Sequence, residues 1–243
     1  MEGLPRGGPA AARAPGGPRG DRRPVRGRGP APVVAAAGRS VTRTLLLQRH
    51  GRTADNAAGR YQGQADTPLD RTGREQARRA APLLAGLRPD AVVSSDLARA
   101  SATAREVGDL LGVGVLTDAR LREVHMGQWQ GRLRSELAGD PRWADTLAAL
   151  RSGEDPRRGG TGETLAECVV RVGEAVEEHL RGIDEGGTLL VVGHGLSTRA
   201  LVASRLGLTQ SSLGPLGNTR WAQVTIGGSG WVLDAWNVGV EGV

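Results

Sequence analysis

The chain has 243 residues, with no lysine, no phenylalanine, a single cysteine and a single tyrosine. Without lysine there can be no Gly-x-x-x-x-Gly-Lys loop of the kind that cradles nucleotide phosphates. The one thiol, Cys168, rules out an internal disulfide framework and fits a reducing compartment; it lies in a helical pattern, so it reads as a buried structural cysteine. No apolar run approaches the roughly 18 residues of a membrane span, so the expectation is a soluble, cytoplasmic protein without a membrane partner. His50, His125, His179 and His194 are isolated from one another. Zinc sites favour His-x-His or His-x-x-x-His pairs, so neither a metal nor another cofactor is expected. A serine elbow is missing as well, because Gly193-His194-Gly195-Leu196-Ser197 is followed by Arg199 where a glycine would be required. No internal repeat is visible.

The formal net charge of +6 suggests nucleic acid until it is placed along the chain. Residues 1–40 hold eight arginines against two acids, and the remainder is formally neutral. That first segment is rich in Gly, Pro, Ala and Arg and has almost no large aliphatic residues, so it reads as a disordered tail ahead of one domain over residues 41–243. Arg22-Arg23 runs into Pro24 rather than an apolar stretch, which argues against an export signal. A competing reading makes the Arg-Gly tail an RNA-binding or acid-binding arm on a scaffold domain, with affinity that falls steeply with salt. The five tryptophans follow no basic stripe and read as core or pocket wall, so nucleic acid is not the expected partner.

Beyond residue 41, apolar strand patterns alternate with helical ones. Thr44–Gln48, Ala91–Ser94, Val113–Leu116 and Thr188–Val192 read as strands, and residues 220–226 and 231–236 as a terminal hairpin. Thr72, with Glu75 three residues on, reads as the cap of a helix ending near Leu87. Further helices are expected over Asp96–Leu111, from a Thr161 cap to Arg181, and over Ser197–Leu206. Residues 141–160 read as a mobile insertion with a short helical piece, placed where it could select substrate. His179 reads as a solvated helix residue. The predicted class is α/β: a three-layer α/β/α sandwich with a mostly parallel sheet.

Two histidines close two buried strands, one in Arg49-His50-Gly51 and the other in Gly193-His194-Gly195. In an open α/β sheet ligands bind at the carboxyl ends of strands, so these two can meet in one pocket. Histidine with planar cations suits phosphoryl transfer: an imidazole nucleophile, and guanidinium donors for the oxygens that carry the developing charge. His50 is the candidate nucleophile, and Arg49, Arg99 and His194 the candidate clamp. A carboxyl group must protonate the leaving alkoxide and later deprotonate water. Glu123, between apolar neighbours, is the candidate, with Asp55 and Asp66 as weaker rivals. Asn56 could donate to phosphate or stabilise a turn.

Taken in order, Arg49-His50-Gly51-x-Thr53-x-x-Asn56, Ser94-Ser95-Asp96-Leu97-x-Arg99-Ala100, Leu121-x-Glu123 with Gly127-x-Trp129-x-Gly131, and Gly193-His194-Gly195 resemble the histidine phosphatase superfamily, with its phosphoglycerate mutase-like fold, over about residues 43–238. The resemblance implies a phosphohistidine at His50, a phosphate pocket of Arg49, Arg99, His194 and Asn56, Glu123 as proton donor, and no metal. Tyr61-Gln62-Gly63-Gln64-x-Asp66-Thr67 and Gly217-Asn218-x-x-Trp221 are most similar to the actinobacterial glucosyl-3-phosphoglycerate phosphatase branch, which implies that Gln62 touches a small phosphate ester. A mutase-type transfer and a broad-specificity sugar phosphatase are the alternatives. The mutase pattern has a bulky Trp near Gln64 and a longer basic insertion, both missing here, so hydrolysis is expected. A homodimer and a monomer are both compatible with the sequence.

Overall fold

The computed structural model describes residues 42–239, so the reading of residues 1–40 as a tail falls outside it. In chain order the elements are β1 (Arg43–Arg49), α1 (Ala54–Ala58), α2 (Arg71–Gly86), β2 (Ala91–Ser94), α3 (Ala98–Leu111), β3 (Val115–Thr117), α4 (Arg134–Ala138), α5 (Ala144–Ser152), α6 (Leu165–Arg181), β4 (Thr188–Gly193), α7 (Gly195–Arg205), β5 (Trp221–Gly227) and β6 (Gly230–Val238). The six strands form one sheet in the order β3-β2-β4-β1-β5-β6. Its first four strands run parallel, while β5 and β6 close one edge as the expected antiparallel hairpin.

Alternation along the strands builds the two faces of the sandwich. Leu45, Leu47, Val93, Leu189 and Val191 pack with Cys168, Val172 and Val176 of α6 and Leu201 of α7. Leu46, Val92, Leu190 and Val192 point the other way, onto Ala81 and Leu84 of α2 and Ala100, Ala104 and Val107 of α3. Both faces of the central strands are covered, which is why they read as continuous apolar runs. The α/β class and the layer arrangement agree with the sequence reading. Cys168 is fully buried, and burial pushes its thiol pKa up, the profile of an inert core cysteine. No helix among the described residues is long and apolar enough to cross a membrane.

Several boundaries move, each for a physical reason. The cap of α2 is Asp70, whose Oδ1 accepts from Gly73 N at 2.7 Å; Thr72 instead accepts from Arg52 Nη2 at 2.8 Å. The cap of α6 is Thr164, not Thr161, because only Thr164 has a glutamate three residues on to close a capping box. β3 begins two residues later than expected, after Gly112 caps α3 in the left-handed conformation. His179 is not freely solvated: its Nε2 lies 3.1 Å from Asp118 Oδ2.

The segment 141–160 is anchored at its two ends, with Trp143, Arg158 and Gly159 buried and α5 burying no residue. A 3₁₀ turn, Pro141–Trp143, leads into α5, with Trp143 buried edge-on against Trp129 at 5.6 Å between ring centres. Gly159 O then accepts from Gln128 N at 3.1 Å, fastening the segment to the loop below it.

Candidate active site

Strand register brings the two histidines together. β1 and β4 pair in parallel with Arg49 opposite Gly193, so the next residue on each strand, His50 and His194, emerges side by side. Their rings meet edge to face at 5.2 Å between centres. Gly51 follows because its backbone crosses α2 closely: a Cβ there would lie 2.4 Å from Gly73 O. His50 Nδ1 is 2.6 Å from Gly51 O. A carbonyl can only accept, so Nδ1 carries the proton and Nε2 keeps its lone pair. Burial, then the neighbouring guanidiniums of Arg99 and Arg49, holds the His50 pKa well below the usual histidine value. This ring is a neutral imidazole with one nitrogen available for bonding.

The cations surround it. Arg99, in the first turn of α3, is completely buried and donates to the carbonyls of Ala65 (2.6 Å) and Gly63 (2.7 Å). Arg49 donates to Leu216 O at 2.7 Å. His194 lies beneath His50 with no exposed surface, its Nε2 2.9 Å from Ser95 Oγ. Three buried nitrogens, Arg49 Nε, Arg99 Nε and His194 Nδ1, have no partner among the described residues. Buried donors are normally satisfied, so two guanidinium N–H groups left open beside one imidazole describe a site suited to an anion.

Above them opens a cavity of about 410 Å³ lined by Arg49, His50, Arg99, Glu123, Asn56 and Gln62, among others. Every proposed site residue except His194 therefore reaches the cavity wall, and His194 backs it. Of the two jobs left open for Asn56, the structure shows the turn: its Oδ1 accepts from Thr53 N to close the cap of α1, and the residue also lines the cavity. Gln62 is buried with its Oε1 unpartnered. The rivals to Glu123 are committed elsewhere, Asp55 to the Thr67 hydroxyl and Asp66 to Ala98 N.

Glu123 itself is set differently from the apolar surroundings expected of it. Oε1 accepts from Ser197 N (2.8 Å) and Val124 N (2.9 Å), and Oε2 from Leu196 N (2.9 Å). The carboxylate thus caps the N-terminus of α7, where the helix dipole favours negative charge. Other contributors escaped the sequence reading. Ser95 orients His194, and Asn218 donates to both His50 O (3.0 Å) and Asn56 Oδ1 (3.2 Å); their only trace was membership of the Ser-Ser-Asp and Gly-Asn motifs. Arg134 and Arg199 also line the cavity, and neither side chain has a hydrogen-bond or ion-pair partner among the described residues.

An α/β sheet that delivers a tautomer-fixed imidazole into a ring of guanidiniums defines a phosphate-handling enzyme of the histidine type. Residues 45–239 match the histidine phosphatase superfamily (branch 1). The glucosyl-3-phosphoglycerate phosphatase of Mycolicibacterium vanbaalenii is 37% identical over 218 residues, spanning 82% of this chain and 96% of its own. A probable phosphoglycerate mutase GpmB of Enterobacter sp. is 35% identical over 201 residues, spanning 82% and 92%. Among solved structures, a mycobacterial glucosyl-3-phosphoglycerate phosphatase in complexes with VO3 superposes with a TM-score of 0.73 at 37% identity, over 81% of this chain and 99% of that one. The chain belongs to the histidine phosphatase superfamily, and it is a phosphoric monoester hydrolase.

Proposed function

We propose that this hydrolase works through a phosphohistidine at His50, in the cytoplasm and without a metal, and that its substrate is glucosyl-3-phosphoglycerate or a close acidic ester. The observation that carries the reading is the Nδ1 contact of His50 with Gly51 O, which leaves Nε2 as a neutral nucleophile among unpartnered donors. In the first step Nε2 attacks phosphorus and the ester P–O bond breaks. Arg49, Arg99 and His194 hold the equatorial oxygens, Asn56 assists, and the Glu123 carboxyl gives its proton to the departing alkoxide. In the second step water attacks the phosphohistidine, Glu123 takes a proton from it, and the P–N bond breaks. Its electron pair returns to the imidazole and inorganic phosphate leaves.

The acidic leaving group is argued from charge. Among the described residues Glu123 is the only carboxylate on the cavity wall, against the guanidiniums of Arg49, Arg60, Arg99, Arg134, Arg158 and Arg199. Of these, Arg158 is paired with Asp155 at 2.8 Å. A phosphomonoester dianion leaves positive charge over even if Glu123 is ionised, and Arg199 and Arg134, the latter lying 5.2 Å over the Tyr61 ring, suit the carboxylate that a phosphoglycerate ester presents. Gln62 would then reach the sugar end.

The test is phosphate release from glucosyl-3-phosphoglycerate, 3-phosphoglycerate and glycerol 3-phosphate, with isomerisation of phosphoglycerate measured in parallel in the presence of a bisphosphoglycerate primer. Preferential release from the first ester, with label trapped on His50, supports the reading. Isomerisation faster than release would make the enzyme a mutase, and equal rates on all three esters would make it a broad phosphatase.

A further inference from the structure

The Glu123 carboxylate is held by α7, but the main chain that carries it is held by a different group. Arg171, on α6, reaches along that stretch: Nη1 donates to the carbonyls of Arg120 (2.7 Å) and Arg122 (3.0 Å), and Nη2 approaches Glu123 O at 3.4 Å. Its Nε and Nη2 also donate to Oε1 and Oε2 of Glu163, at 2.8 and 2.7 Å. Glu163 Oε2 in turn accepts from His125 N at 2.9 Å, and Glu163 N donates to His125 O at the same distance. One two-pronged ion pair therefore grips the chain on both sides of Glu123. Both side chains are about four-fifths covered, at 22% and 21% exposure, and neither lines the cavity.

We propose that the Arg171–Glu163 pair is a positioning device for Glu123, fixing the distance over which its proton reaches the leaving oxygen. The proposal rests on Glu123 being the acid of the preceding section. A planar guanidinium with fixed donor directions sets position in a way a lysine could not, and proton transfer demands such placement: a shift of about 1 Å can cost on the order of 100-fold in rate. The nucleophilic half of the site does not depend on this pair. Arg49 ends β1, His50 follows it and Arg99 stands on α3, and none of them shares a hydrogen bond with the pair among the described residues; the two halves meet at Gln64, whose Nε2 donates to Glu123 O at 3.1 Å from the 63–65 turn that Arg99 holds. Loss of the pair should therefore impair proton delivery while leaving attack on phosphorus intact, and a general structural role would not separate the two.

The experiment compares Arg171→Met, Arg171→Lys, Glu163→Gln and Glu123→Gln in the full chain. Each is assayed on p-nitrophenyl phosphate, whose leaving group needs no proton, and on glycerol 3-phosphate, whose alkoxide does. In Arg171→Met and Glu163→Gln, kcat on the alkyl ester should fall on the order of tenfold further than on the aryl ester, a fraction of the 10²–10⁴ that a placed acid supplies. KM for the aryl ester should not move, and Arg171→Lys should recover part of the loss. An equal fall on both esters in the two pair variants, alongside a clear split in Glu123→Gln, overturns the positioning role and spares the acid. No split in Glu123→Gln overturns both. If urea melts show that Arg171→Met does not fold, Glu163→Gln and Arg171→Lys, which keep polar side chains of similar length, decide the matter on the same criterion.

Discussion

Two fully enclosed neutral imidazoles should make the fold acid-sensitive in a narrow and predictable window. The His194 pKa lies well below the usual value because of burial first, then Arg99, His50 and Arg49; His50 is lowered in the same way. In the unfolded chain both rings protonate as pH falls through about 6.5. In the folded protein they do not, so the unfolded state binds more protons and stability rises with pH up to that value and levels off above it. Each histidine that stays neutral costs on the order of 1 kcal/mol for each pH unit below about 6.5, so the pair should cost on the order of 3 kcal/mol at pH 5.5. Set against a typical 5–15 kcal/mol, this is a large share of total stability. Asp and Glu side chains titrate mainly below this window. The assay is urea unfolding at pH 7.5 and 5.5 for the parent and for His194→Gln, which keeps a polar neutral side chain. The parent should lose on the order of 3 kcal/mol over that interval and the variant about half as much. Identical losses in the two proteins, or a flat parent, would refute the claim that the rings are held neutral by burial among cations.

Arg99→Ala removes two donors to the 63–65 turn together with a cation facing the phosphoryl group, and kcat should fall by about 10²–10³, read by phosphate release. Gly63→Ala should weaken the same support from the other side. Gly63 has φ +55°, and a Cβ there would lie 2.5 Å from Gln130 Oε1 and 2.9 Å from Met126 N, so the melting temperature and kcat should drop together. Asp70→Ala removes the cap of α2 and should cost about 1 kcal/mol in urea unfolding with turnover kept, since the cap lies outside the cavity. EDTA should leave phosphate release unchanged, because the guanidiniums round His50 repel a divalent ion and no group of three or more metal-ligating side chains stands together among the described residues; restoration of activity by added metal after chelation would contradict this.

What the sequence made legible follows from what is local. A strand ending in His-Gly is visible in a dozen residues, and two such strands in a parallel sheet have few ways to be arranged other than as neighbours. The arginine at the start of α3 was legible for the same reason. Caps were misplaced where several Thr or Asp residues competed within a turn or so: Asp70 takes the cap of α2 while Thr72 is engaged by Arg52, and Thr164 prevails over Thr161 through Glu167 three residues on. The setting of Glu123 was invisible because two of its three main-chain donors lie 73 and 74 residues further on. Arg171 was hidden likewise, since only folding brings α6 against the carbonyls of residues 120–123.

The same long-range contacts tie the acid to the base of the site. β4 ends in Gly193, His194 follows, and α7 begins at Gly195, so the amides that receive Glu123 belong to the two residues after that glycine. A shift of α7 along its axis would move His194 and the Glu123 carboxylate in the same direction, keeping the distance between clamp and proton donor while changing their distance from His50 on β1. The sheet then fixes the remaining separation, because β1 and β4 are hydrogen-bonded through six registered pairs, from Thr44 opposite Thr188 to Arg49 opposite Gly193. The proposed nucleophile, His194 and the proposed acid are in this way referred to one pair of parallel strands, with Arg99 brought in separately by α3, which suits a reaction whose two proposed steps use the same groups in opposite protonation states.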